Sequence, residues 1–251
     1  MIQSLLGNIL IFGGKMKENT YVYGLKKGLA TGLGYLSVSF GFGITAVGKG
    51  LSGLEAILIS LTNLTSAGQL AGITVIASCG SVLELMLTQL IINLRYCLMG
   101  LALTQKLDGS FTTMHRLFIS FGITDENFAV AAAEKGSLNR RFMYGLMTLP
   151  IIGWTLGTAL GAFAGQILPA GVCSALGIAI YSMFIAIIIP DTKTEKGVLW
   201  AVVLSSALSC AFYFVPLLSK VPQGFSIIIC AVLVSALLAY FFPKNFEEED
   251  A

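Results

Sequence analysis

Three short stretches of this 251-residue chain carry side chains able to do chemistry. They are Asn63-Leu64-Thr65-Ser66-Ala67-Gly68-Gln69, Asn93-Leu94-Arg95 and Thr124-Asp125-Glu126-Asn127. A guanidinium matches a carboxylate bidentately, and amides and hydroxyls hold the polar end of a ligand. A carboxyl in apolar surroundings holds an amine or exchanges a proton. Each stretch interrupts an otherwise apolar segment, where a charge at a helix centre costs about 2.5 to 3.5 kcal/mol and is normally compensated by a partner or by water.

Each stretch also has a structural reading. Arg95 can form a packing ion pair with Glu84, Asp125 or Glu126. Asp125 and Glu126 can belong to an interfacial loop wetted by headgroup water, and Asn63 and Gln69 can serve as interhelical glue. Glu84 reads as a solvated residue near an interface. His115, the single histidine, reads as a solvated loop residue beside Arg116.

The elements that must position these groups are membrane helices. Apolar residues make up 56% of the chain and charged ones 11%, and the mean hydropathy is +0.85. A soluble domain carries roughly 25% charged residues. Residues 28–48, 56–83, 142–190, 197–219 and 221–243 contain no Asp, Glu, Lys, Arg or His, and about 20 such residues cross a bilayer as a helix. An all-α polytopic bundle of seven to eight segments follows, as one membrane domain over residues 1–251. Residues 56–83 exceed one crossing, so a break is expected at 63–69. The segment at 117–133 breaks at 124–127, and 142–190 divides at Pro169 and Gly171.

Counting eight crossings puts Lys26, Lys27, Lys135, Arg140 and Arg141 on one side with Lys15, Lys17, Lys193, Lys196 and Lys244, and Lys49, Lys106, Arg116 and Lys220 opposite. The positive-inside rule then makes the first side, and the N-terminus, cytoplasmic; the alternative, a re-entrant segment at 117–133, would move Lys135, Arg140 and Arg141 to the other side and fits the rule less well. A faint repeat pairs Gly43 and Gly53 with Gly161 and Gly171, and Val82-Leu83 with Val198-Leu199. It suggests halves 21–133 and 142–243, as in duplicated transporters. Residues 1–14 make a poor signal peptide, and Met16 is an alternative start to Met1.

The net charge of +2 and the lack of a basic stripe argue against nucleic-acid binding. The five cysteines lack metal-ligand spacing and read as small buried hydrophobes. No GxSxG, HExxH or P-loop motif supports an enzyme, and no cofactor is expected.

The ordered series GLSGLEAILISLTNLTSAGQ (50–69), NLR (93–95) and GITDENFAVA (122–131) resembles the AzlC family of branched-chain amino acid exporters. The likeness covers roughly residues 24–170. It implies a large permease subunit that works with a small AzlD-like membrane subunit in the plasma (inner) membrane of a prokaryote. By motif, Ser66, Ala67, Gly68 and Gln69 match the family's first polar break, Asn93 and Arg95 its NLR element, and Thr124, Asp125 and Glu126 its TDE element. Two departures stand out: Leu36-Ser37 follows Gly34-Tyr35 where members often have proline, and Tyr96 follows Arg95 where histidine is common.

The expected function is ion-gradient-coupled export of a branched-chain or similar apolar amino acid. Asn63, Ser66, Gly68, Gln69, Asn93, Arg95 and Thr124 would bind the substrate, Arg95 through its carboxylate. Asp125 or Glu126 would hold the amine or the coupling proton. The rival reading is a non-transporting scaffold or regulatory subunit whose buried charges are structural ion pairs.

Overall fold

A computed structural model describes residues 20–165, 167–169, 171–172, 178, 181–182, 185, 188–190 and 192–242. The alternative start, the acidic C-terminal run and most of the span expected at 171–189 lie outside them. The helices are α1 (Tyr21–Gly48), α2 (Gly53–Thr62), α3 (Ser66–Ala77), α4 (Val82–Thr104), α5 (Thr113–Phe121), α6 (Asp125–Ala133), α7 (Arg140–Ala164), α8 (Lys196–Phe214) and α9 (Gln223–Phe241). Among the described residues α1, α4, α7, α8 and α9 are long and apolar enough to cross a membrane.

The centre is α1 lying along α7, both running the same way. Glycines let the two backbones touch. A Cβ on Gly24 would strike the Phe142 carbonyl, one on Gly153 the Gly32 carbonyl, and one on Gly161 the Phe40 carbonyl. The contact therefore follows both helices from end to end, as small residues allow where lipid offers no hydrophobic drive for association. Pro150 sits inside α7 and cannot bond the Leu146 carbonyl one turn back. That carbonyl lies where a Cβ on Gly28 would be. We call the side holding Tyr21 and Arg140 proximal and the side holding Gly48 and Ala164 distal.

Both discontinuous segments turn back. α2 descends from the distal side along α7: Gly53 lies by Ala162, and the Ser60 hydroxyl meets that of Thr158 at 2.7 Å. α3 then climbs beside α4, with Gly68 against Gln89 and Asn93, Gly72 against Gln89 and Leu85, and Gly80 against Glu84. The other end of α4 is proximal, because Lys106 Nζ donates to the carbonyls of Ala132 (2.5 Å) and Glu134 (2.6 Å). Glu134 in turn pairs with Lys27 at 2.8 Å and accepts from the Tyr23 hydroxyl.

α5 and α6 form the matching proximal hairpin. Its two ends are stitched together by Leu138 N–H to the Lys106 carbonyl (2.7 Å) and Asp108 N–H to the Leu138 carbonyl (2.9 Å). Of the two arrangements open to the segment at 117–133, this is the re-entrant one and not the preferred crossing. Lys106 and Arg116 belong with Lys27 and Lys135, not opposite them. A crossing helix and a half-length hairpin have the same composition, so only the packing of the ends separates them.

The two units, α1 with hairpin α2/α3 and α4 with hairpin α5/α6, succeed each other inverted. Their helix-capping residues Ser52 and Thr112, and Thr65 and Thr124, stand about 60 residues apart. The second half of the repeat expected over 142–243 runs through residues outside those described. At the distal surface Ser52 and Glu55 close a capping box. The backbone and hydroxyl of Ser52 donate to the Glu55 carboxylate and hold its pKa below the usual range.

Two further readings are corrected. Cys79, Cys97 and Cys210 are exposed on the bare protein, Cys79 in the turn between α3 and α4 and the other two on outward faces of α4 and α8. His115 is half-buried on α5: its Nδ1 is 3.0 Å from the Tyr144 hydroxyl, and its Nε2 is 2.8 Å from the Arg140 guanidinium. The turn linking α4 to α5 folds back onto the start of α7, which is why this ring finds partners.

Candidate functional site

The tips of the two hairpins meet halfway along α1, α4 and α7. Neither tip can stay helical. Asn63 ends α2 in extended backbone and its Oδ1 accepts from the Thr65 hydroxyl at 2.8 Å. Thr65 then opens α3 with no side-chain cap. Thr124 opens α6, its hydroxyl accepting from the Asn127 N–H at 3.4 Å. Both half-helices thus direct their N-termini, with unpaired backbone N–H groups and positive dipole ends, towards the membrane centre.

Between the tips lies a small cavity lined by Tyr35, Leu64, Ser66, Tyr96, Thr124, Asp125, Glu126 and Trp154. At about 10 Å³ it has room for roughly one water molecule. Around it the polar groups are paired. Arg95 donates to Asp125 at 2.9 Å and to the Tyr96 hydroxyl at 3.1 Å, and its guanidinium also lies over the Tyr96 ring. The Tyr35 hydroxyl donates to Glu126. Tyr35 meets the Trp154 ring edge to face with centroids 5.1 Å apart.

From Trp154 a buried relay runs away from the cavity. Its indole N–H donates to Gln69 Oε1 at 2.8 Å, the Gln69 amide donates to Ser60 at 3.3 Å, and Ser60 meets Thr158. The relay ties α7, α3 and α2 together at the depth of the cavity.

Of the residues singled out from sequence, Ser66, Thr124, Asp125 and Glu126 line the cavity, and Arg95 touches it through Asp125 and Tyr96. Gln69 is buried in the relay behind Trp154. Gly68 packs under α4 where a Cβ would lie 2.8 Å from Gln89 and 3.1 Å from Asn93. Its carbonyl accepts from Gln89 at 2.7 Å, and the Asn93 amide donates to Gln89 at 3.1 Å. Asn63 fixes the turn. These four shape the tips from behind. Of the acids considered for Arg95, Asp125 is the partner.

Glu84, expected to be solvated, is instead 3% exposed between α4 and the start of α9. Sequence reasoning also missed Tyr35, Tyr96, Leu64 and Trp154 as lining residues. Tyr35 follows Gly34 in the glycine-rich α1, and Tyr96 adjoins Arg95. Nothing in the sequence marks Leu64 or Trp154.

The AzlC family, described as AzlC protein, matches residues 30–168. An uncharacterized membrane protein of Archaeoglobus fulgidus is 34% identical over 209 residues, covering 82% of this chain and 88% of the relative. The inner membrane protein YgaZ of Escherichia coli is 28% identical over 230 residues, or 88% and 92%. An uncharacterized membrane protein of Helicobacter pylori is 28% identical over 138 residues, or 53% and 59%. No solved structure matches. The match spans both hairpins and the α1–α7 pair.

Proposed function

The chain belongs to the AzlC family of membrane proteins, and from that premise we propose that it is a secondary active exporter of branched-chain or similar apolar amino acids, working with a small AzlD-like membrane subunit. The observation that carries the reading is the meeting of two half-helix N-termini, a guanidinium and two carboxylates beside aromatic and aliphatic walls. That set is complementary to a zwitterion with an apolar side chain. The substrate carboxylate would take the open N–H groups at the start of α3 and a donor of Arg95, and the amine would take Asp125 or Glu126. Leu64, Tyr35 and Trp154 would receive the side chain.

A cavity of one water is far too small for an amino acid, so substrate entry requires the tips to part. Each hairpin opens towards one side, and rocking one tip at a time would give access from one side at a time. Exchange of Asp125 for the substrate as the partner of Arg95 is then the natural trigger. The rival scaffold reading draws on the same Arg95–Asp125 pair, which already satisfies both charges.

Efflux of labelled leucine from cells expressing the chain with its small partner tests the proposal, compared with Arg95→Ala at matched membrane levels. Arg95-dependent efflux is the expected result. Efflux no faster than from empty cells, with both subunits folded in the membrane, would favour the scaffold.

A further inference from the structure

Asp125 and Glu126 are neighbours in sequence, yet the structure gives them different partners. Both lie in the first turn of α6, where successive side chains leave the helix axis in different directions. Asp125 turns to α4 and takes the Arg95 guanidinium at 2.9 Å, so its charge is compensated. Glu126 turns to α1 and accepts from the Tyr35 hydroxyl, a neutral donor. Among the described residues no ion pair reaches Glu126, since the other one joins Lys27 to Glu134 on the proximal side. The helix dipole and the hydroxyl both stabilise an anion here, but neither is a full counter-charge. Around the cavity one guanidinium therefore faces two carboxylates, and the charge left over is that of Glu126.

That charge sits against aromatic walls. Tyr35 and Trp154 are both buried, and they line the cavity together with Tyr96 and Leu64. Trp154 is tied to Gln69 through its indole N–H. Its ring meets Tyr35 edge to face and so steadies the hydroxyl that holds Glu126. A carboxylate set among rings suits an organic ammonium, because the carboxylate takes the N–H donors and ring faces attract the cation. Leu64 offers an apolar contact to the alkyl group beside the nitrogen. An inorganic cation would use the carboxylate and make no use of these apolar walls.

We infer that Glu126 is the ammonium anchor of the site, and that a primary alkylammonium with a branched aliphatic chain is a sufficient ligand without any carboxylate. What happens to an amino acid there rests on the exporter reading, whereas binding of the amine stands without transport. The two acids then divide the work. Glu126 takes the amine, while Asp125 stays on Arg95 until a substrate carboxylate competes for that guanidinium. An amine that lacks the carboxylate docks once the tips part, does not displace Asp125 and is not carried. It therefore acts as a blocker of leucine export.

The full chain, reconstituted in lipid at neutral pH, is titrated with isopentylamine, which is protonated there, with leucine and with isocaproate, and the thermal unfolding midpoint is followed. Saturable stabilisation by the amine and by leucine, and none by isocaproate, is expected. Glu126→Gln should weaken the amine by about tenfold or more, as when a desolvated charge loses its partner. The variant keeps an acceptor for the Tyr35 hydroxyl, so the fold is retained. Arg95→Gln should bind the amine more tightly, since a repelling cation is gone and Asp125 is freed. No stabilisation by the amine, an amine affinity unchanged in Glu126→Gln, or stabilisation by isocaproate alone overturns the assignment. Stabilisation by sodium ions that depends on Glu126 and excludes the amine overturns it in favour of an inorganic cation. Failure of the exporter reading looks different: the amine binds through Glu126 while leucine efflux stays at the level of empty cells. Where both hold, isopentylamine slows leucine efflux without itself leaving the cells.

Discussion

Arg95 holds Asp125 at 2.9 Å and Tyr96 at 3.1 Å, with its side chain 44% exposed. A guanidinium has five N–H donors, so donors remain for a ligand after both bonds are made. Whether the pair is structural or functional can be decided by exchanging the partners. Arg95→Asp combined with Asp125→Arg keeps an ion pair at the same place but moves the cation to the tip of α6. If the pair served packing alone, the exchange would restore both membrane level and efflux lost in the single variants. We expect it to restore the amount of folded protein and not the efflux, read by detergent-extracted monomer and labelled-leucine export. Coupling between touching residues is commonly 0.5 to 3 kcal/mol, enough for the rescue of folding to be visible. The polar residues were legible in sequence because a charge or amide in an apolar run has to be accounted for. The aromatic lining was not, since a tyrosine or tryptophan in a membrane helix serves equally well as packing, lipid contact or cavity wall. The same ambiguity hid the roles of Gln69 and Gly68, whose side of the helix is set by what α4 and α7 bring against it.

The element that fixes the depth of the site is the parallel α1–α7 pair, because Tyr35 and Trp154 reach the cavity only if the two helices keep register. Register here depends on glycines in backbone contact. A Cβ on Gly157 would collide with the Leu36 carbonyl and the Ser39 hydroxyl, whereas one on Gly34 meets nothing within 4 Å. The Ser39 hydroxyl could rotate, but the Leu36 carbonyl is backbone and cannot swing aside. Gly157→Leu should therefore cost about 3 kcal/mol or more, at the upper end for overpacking, while Gly34→Leu leaves the amount of folded protein near that of the native chain. Thermal aggregation midpoints in detergent separate the two, and equal midpoints would mean that α1 and α7 are not in backbone contact. The glycine richness of α1 announced close packing, but its partner could not be read from it. Glycines abound throughout the chain, and α7 earns its place only through their spacing at 145, 153, 157 and 161 on one face.

Across the whole molecule, the hairpins redistribute charge between the two faces. Lys26, Lys27, Lys106, Arg116, Lys135, Arg140, Arg141, Lys193 and Lys196 all fall on the proximal side, against Lys49 and Lys220 on the distal side. The start of α8 is proximal because Gly197 lies by Phe242, at the far end of α9 from Glu84. Eight crossings would leave Lys106 and Arg116 opposed to their neighbours, so the hairpin arrangement obeys the positive-inside rule more fully. The proximal side should then be cytoplasmic, and with it the entrance to α1. Single cysteines settle this in intact cells, using a membrane-impermeant maleimide on a chain whose other cysteines are replaced. Gly109→Cys and Lys135→Cys flank the α5/α6 hairpin at exposed positions and should both stay unlabelled until the cells are permeabilised. Lys49→Cys and the native Cys79 flank the α2/α3 hairpin and should both react from outside. Eight crossings predict the opposite pattern, with the members of each pair labelled from different sides. That outcome would also remove the geometric basis of the site, since two half-helix N-termini meet at the membrane centre only if both hairpins turn back.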